Sequence, residues 1–207
     1  MSKTLAFPLL VPAALGLCLL VHCGGGAASA GAPPAAPATA LHYTSPGTTG
    51  FRLEADPASN DTAHLVLNLL GPAGTQIEGA ALFLSVNPAQ VTWGHPAGGL
   101  SYAKAGSVLD LTLGGQPSVQ LFKSKLSPDS TTLQVGIFQK QGAATIAQGA
   151  PLVSVVLDLG PSVTAGASLS LAAAAGKQAC YLDETGTLMP MNGQQSGTIA
   201  VGSLTAR

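Results

Sequence analysis

Between Ile77 and Trp93 the chain reads IEGAALFLSVNPAQVTW, its most apolar stretch outside the N-terminus. Ala80, Leu82, Leu84 and Val86 fall on every second residue. That period belongs to a strand with one buried face, because successive side chains of a strand point to opposite sides. Asn87-Pro88 stops the run, since proline has no amide to donate and biases the residue before it away from helix. A strand this apolar has to be covered on its inner face and paired along its edges. The stretch therefore reads as the central strand of a β-sandwich, leaving through a proline turn into a second short piece, Val91-Thr92-Trp93.

The rest of the chain repeats the theme. Short apolar runs are broken by Gly, Pro, Asn and Asp from Leu41 to Ala206. Leu41–Tyr43, Phe51–Ala55 and Thr62–Leu70 precede the central strand. Ser107–Leu113, Val119–Leu126, Thr131–Lys140, Leu152–Leu159, Ala167–Ala175, Ala179–Met191 and Gly197–Leu204 follow it. Ser127-Pro128-Asp129-Ser130 and Asp183-Glu184-Thr185-Gly186 are hairpin tips, with glycine supplying the positive φ that such turns need. No amphipathic helix of three turns is legible. About nine strands with turns at this spacing predict a two-sheet, all-β sandwich of jelly-roll type.

Ahead of this body lies a different composition. Lys3 is followed by an apolar run, Leu5–Val21, and then by small residues, which is a secretory pattern. The run is marginal for a membrane span, which takes about 20 residues. Leu20-Val21-His22-Cys23, with Gly24-Gly25-Gly26 behind it, resembles the lipobox of bacterial lipoproteins. That resemblance implies lipidation of Cys23, with His22 standing where the family has a smaller residue. Ordinary cleavage after Ala28-Ser29-Ala30 is the alternative. Residues 1–22 are thus expected to be a signal peptide, and 23–40 a Gly/Ala/Pro-rich tether that cannot bury apolar surface. Residues 41–207 are expected to be the folded domain. The chain would be exported and held at the cell envelope, touching the membrane through its anchor alone. Cys18 falls in the signal and Cys23 carries lipid, so Cys180 is left without a disulfide partner, and its alternating context predicts burial.

With the strands laid out, the order over Thr62–Val201 resembles the cohesin family and carbohydrate-binding modules of similar topology. Leu65–Leu69 looks like the cohesin strand before the central one. Glu78–Pro88 resembles the segment that runs from a glycine through alternating apolar residues to Tyr-Asp-Pro, with Val-Asn here in place of Tyr-Asp. Leu133–Phe138, the Gly149-Ala150-Pro151 corner and Leu152–Leu157 resemble the next paired strands. Cys180–Gly186 and Gly197–Val201 resemble the closing hairpin and last strand. The resemblance implies a non-catalytic module with a protein partner, dockerin-like, or else a polysaccharide; a structural subunit of a surface assembly is the other alternative, since sparse charge and alternating strands permit edge pairing.

The chemistry-bearing residues are sparse. Charged residues make up 8% of the chain and the net charge is −1, against about a quarter charged in ordinary domains. No basic field exists to neutralise phosphates, so nucleic acid is not a partner. The nine carboxylates, Glu54, Asp56, Asp61, Glu78, Asp110, Asp129, Asp158, Asp183 and Glu184, lie mostly at turn positions, where Asp serves backbone amides. His22, His42, His64 and His95 share no metal-ligand spacing. Asp56, Asn60 and Asp61 have the chemistry of a Ca²⁺ loop, but an Asx-type turn accounts for them more simply. Gly94–Gly99 is Gly-rich without a phosphate-binding frame. No cofactor, no metal and no enzymatic activity is expected.

Aromatic placement gives the more specific expectation. Strand alternation puts Phe83 opposite Leu82 and Leu84, Phe122 opposite Leu121, and Phe138 opposite Ile137. If these strands are neighbours, as in cohesins, Phe83, Phe122 and Phe138 form a row on the outer face of one sheet. An exposed aromatic row of this kind marks a binding surface. A polysaccharide surface would instead call on Trp and Tyr, and this chain has one Trp and three Tyr.

Overall fold

The computed structural model describes residues 35–96, 99–118, 120–193 and 197–207. The signal segment, Cys23 and the tether as far as residue 34 lie outside the described residues. In chain order the strands are β1 (Leu41–Thr44), β2 (Arg52–Ala55), β3 (His64–Leu70), β4 (Gln76–Ile77), β5 (Gly79–Val86), β6 (Val91–Trp93), β7 (Ala103–Ala105), β8 (Thr112–Leu113) and β9 (Gln116–Pro117). They continue as β10 (Phe122–Leu126), β11 (Thr132–Phe138), β12 (Ala144–Thr145), β13 (Val153–Leu159), β14 (Ser168–Leu169), β15 (Leu171–Ala173), β16 (Cys180–Leu182), β17 (Leu188–Pro190) and β18 (Ser203–Ala206). A 3-10 turn follows β17 at Met191–Gly193.

Two sheets face each other. The first runs β10-β11-β5-β16-β17, with β15 also paired to β5. The second runs β2-β3-β13-β6, with β7 pairing to another part of β13. β5 is central as expected, because Leu82 and Leu84 are fully buried and both long edges of the strand are paired. Its inner residues pack with Leu133 and Val135 of β11 against Leu65, Leu67, Val155 and Leu157 of the second sheet in one core. A short sheet, β1-β18-β14, is joined to the second sheet where Leu53 N donates to Ala200 O at 3.0 Å.

Several expectations are corrected. The alternating piece Ser107–Leu113 is mostly not strand; β8 and β9 make a two-residue ladder there. β11 and β13 lie in opposite sheets, because the chain crosses over between Gln139 and Leu152. The run Ala167–Ala175 divides at Ser170, β14 joining β18 and β15 joining β5. The body also reaches back past Leu41. Ala38 N donates to Val163 O, Thr39 N and Ala40 N donate to Arg207 O, and Ala36 O accepts from Ala165 N. Those residues were read as tether because alanine and threonine show no burial pattern; their backbone does the binding.

Two polar side chains tie distant segments together. The Tyr43 hydroxyl accepts from Gly202 N at 2.6 Å and donates to Leu53 O at 3.3 Å. Asn192, at φ 58°, accepts from Phe51 N and donates to Phe51 O and Thr198 O.

Candidate functional site

The outer face of the first sheet can be built from its register. Lys123, Gly136, Ala81, Cys180 and Pro190 are successive cross-strand partners and form one line across five strands. Apart from the lysine at one end and the proline at the other, this line is made of small side chains. Two residues along the strands on one side lie Phe138, Gly79, Leu182 and Leu188. On the other side lie Lys125, Gln134 and Phe83. The small line is therefore a trough between two ridges. Residues four apart on a strand are about 13 Å apart, so the trough is about as wide as an α-helix is thick.

On the Phe138 side the trough runs into a depression of about 380 Å³, where Gly79 interrupts the ridge beside Ala81 and Gly136, and Phe138, Leu121 and Leu188 stand around them. Phe138 is 38% exposed and Leu188 62%, high values for large apolar groups. Gly136 is an extended strand residue whose absent Cβ would meet nothing within 4 Å. A side chain would fit there, so glycine at 136 serves the shape of the face rather than the packing of the fold.

The expected aromatic row is corrected by this register. Phe83 and Phe138 share the outer face. Phe122 does not, because it pairs with Ile137 and Ile137 is buried in the core. Phe122 packs partly against that core from the inner side. Setting the phase by Leu121 as an inward residue puts Phe122 on the wrong face. Leu121 precedes the strand, its amide donating to Ser118 O, and its side chain is buried on the outside against the trough. The better phase marker was Lys123 and Lys125, which share one face and must reach water. The sequence reading also missed Leu182 and Leu188, whose hairpin was seen but not placed beside β5.

Cys180 is half-buried in the trough, not enclosed as expected, and burial pushes its thiol above the ordinary value. Next to it the β16–β17 hairpin is tied by Asp183, whose Oδ1 accepts from Thr185 N, Thr185 Oγ1 and Thr187 N. These bonds, the Thr185 hydroxyl first, hold its carboxyl below the usual range. Asp129 does the same work in the β10–β11 hairpin, held low first by Ser127 and then by Thr131.

The three side chains of the Ca²⁺ alternative are engaged elsewhere. Asp56 accepts from Ala58 N, Asn60 brackets the backbone of Tyr43, and Asp61 pairs with His42 and Arg207. Each has its own partner, and no group of three or more His, Cys, Asp or Glu side chains suited to a metal occurs among the described residues.

No family model matches the chain, and no curated protein matches it. Solved structures do. The sixth cohesin from scaffoldin B of Acetivibrio cellulolyticus, in complex with a mutant Cel5 dockerin, is 16% identical, with a TM-score of 0.49 over 75% of this chain and 96% of its own. A type II cohesin domain from the cellulosome of the same organism is 11% identical, covering 82% and 95% at a TM-score of 0.43. The second type II cohesin module of its ScaA scaffoldin is 9% identical, covering 82% and 94% at 0.43. At these identities the likeness is one of fold, and it assigns this chain no ligand.

Proposed function

We propose that the chain is a non-catalytic binding module whose outer trough on the first sheet docks a protein partner. The observation that carries this reading is the pairing of a Gly/Ala floor with two exposed apolar walls, Phe138 and Leu188. A floor without side chains lets a partner's groups approach the sheet backbone, and large apolar residues left open to water gain by being covered. Lys123 and Lys125 stand on the edge strand beside it, both exposed, which favours a partner with acidic residues at that rim. A saccharide is the weaker reading for this face, because its aromatics are Phe and not Trp or Tyr. The finer identity, a dockerin-like partner, rests on the cohesin resemblance of the sequence.

The protein is further proposed to be exported and held at a bacterial envelope by lipid on Cys23, a reading that rests on the first 26 residues of the sequence.

The docking reading is tested by quantitative capture from an envelope extract. A partner retained by the native chain and lost at least tenfold by Phe138→Asp and Leu188→Asp, but not by Thr92→Ala, an exposed position on the opposite sheet, supports it. Equal retention by all four proteins, or retention on insoluble polysaccharide instead, sinks it. The anchor is tested separately: Cys23→Ala should move the chain from the membrane pellet to the soluble fraction, and an unchanged distribution removes it.

A further inference from the structure

The outer face of the second sheet carries a different surface, also organised in lines. Asn68, Ser154 and Lys104 are cross-strand partners and form a polar line. One step along the strands are Val66 and Val156, partners of each other, with Asp56 beside them where its amide donates to Val66 O. A further step brings His64 and Asp158, which pair in register and through Nδ1 to Oδ1 at 2.7 Å.

The chain makes a wall beside these lines. β6 and β7 both pair with β13, and beside Val156, where Gly94 N donates to Val156 O, residues 95–96 and 99–102 lie outside the ladder between them. His95 stacks on Tyr102 at 4.3 Å within that excursion, and His95 and Pro96 border the cleft. Gly94 lets the chain pass close against Asp158 and Val156, since a Cβ there would lie 2.8 Å from Asp158 Oδ2. The result is a cleft of about 540 Å³.

We propose that this cleft binds a short extended peptide of about four residues by its two charged ends. The ends of the cleft carry opposite charge. Lys104 stands at one end with no ion pair among the described residues, next to the Asn68 amide, whose oxygen already accepts from Ser154 Oγ at 2.6 Å. That leaves the Asn68 amide N–H and the Lys104 ammonium for a carboxylate. The other end carries the Asp158 carboxylate, whose Oδ1 accepts from His64 Nδ1 and whose Oδ2 is left for an ammonium, and Asp56 adds negative charge from the side of the valine floor. Asp158 stands four residues beyond Ser154 on β13, about 13 Å, which is the span of four extended residues. The valine floor between the ends suits aliphatic side chains and offers a sugar ring no aromatic platform. The site lies on the sheet opposite the proposed docking trough and stands or falls independently of it.

The test uses the full chain and four probes: tetra-L-alanine, its N-acetyl form, its C-terminal amide, and tetragalacturonate, each titrated while amide chemical shifts are followed. Tetraalanine is expected to move resonances around Val66, Val156 and residues 94–102. Either cap should weaken it at least tenfold. Lys104→Met should remove the penalty of the amide cap, and Asp158→Asn the penalty of the acetyl cap; both substitutions are on the surface, and an unchanged spectrum elsewhere verifies the fold. Silence with tetraalanine, equal binding of capped and free peptide, or binding of tetragalacturonate alone overturns the proposal, the last by making the cleft a saccharide site.

Discussion

Single residues carry much of the specificity of this small-residue chain. Tyr43 is the clearest case, because its ring is buried and its hydroxyl serves both the β1–β2 region and the approach to β18. Tyr43→Phe leaves Gly202 N and Leu53 O without that partner, and is expected to cost about 1–3 kcal/mol in denaturant unfolding. The group also sets an alkaline limit. Desolvation pushes the phenol above its ordinary value, more than the bond from Gly202 lowers it. The folded state thus favours the protonated form. Its contribution is fully present below about pH 10, and is lost as pH rises through the raised folded value. Ultraviolet titration should show one tyrosine ionising later than the others, together with unfolding, and Tyr43→Phe should abolish that late phase. The role was invisible in the sequence: Tyr43 was read as a strand residue, but its partners lie 10 and 159 positions away.

Among the elements, β10 shows where strand reading fails. Its period is legible and its phase is not, because Gln120 and Leu121 belong to a turn and the strand starts only at Phe122. A one-residue slip exchanges the faces of a strand, so it moved Phe122 from the inside to the outside on paper. β5 and β11 escaped this error because seven or eight residues of alternation average out one misleading neighbour. The trough on these strands makes a prediction that separates folding from docking. Gly136→Val fills an open position in a strand interior and should raise stability by about 0.5–1 kcal/mol, while partner capture falls at least tenfold. Lower stability on thermal unfolding, or undiminished capture, would contradict it. The β16–β17 hairpin makes a second. Its Asp183 carboxylate is held below its usual range, so its share of hairpin stability is present above the ordinary carboxyl value and lost as pH falls through the lowered one. The protection of the Thr185 and Thr187 amides, measured as exchange relative to the intrinsic rate at each pH, should fall in that acid window and be low throughout in Asp183→Ala.

For the whole molecule, the consequence lies in its N-terminal edge. A chain beginning at Ala35 keeps the backbone bonds from residues 36–40 to Val163, Ala165 and Arg207, and a chain beginning at Leu41 loses them. With five such bonds at about 0.5–1.5 kcal/mol net each, the shorter chain should be less stable by about 2.5–7.5 kcal/mol and melt at least about 5 °C lower; equal melting by calorimetry would refute this. The sequence alone determined the all-β sandwich, its central strand and both hairpin tips, because alternation and turn chemistry are local and repeat often enough to survive noise. It also held the whole case for export and for Cys23. Only the tertiary structure decided that Phe122 turns inward, that Leu182 and Leu188 stand beside Phe138, and that two valines, a lysine and two aspartates share one cleft. Those facts depend on which strands become neighbours and in what register, and pairing between segments a hundred residues apart leaves no mark on either segment by itself.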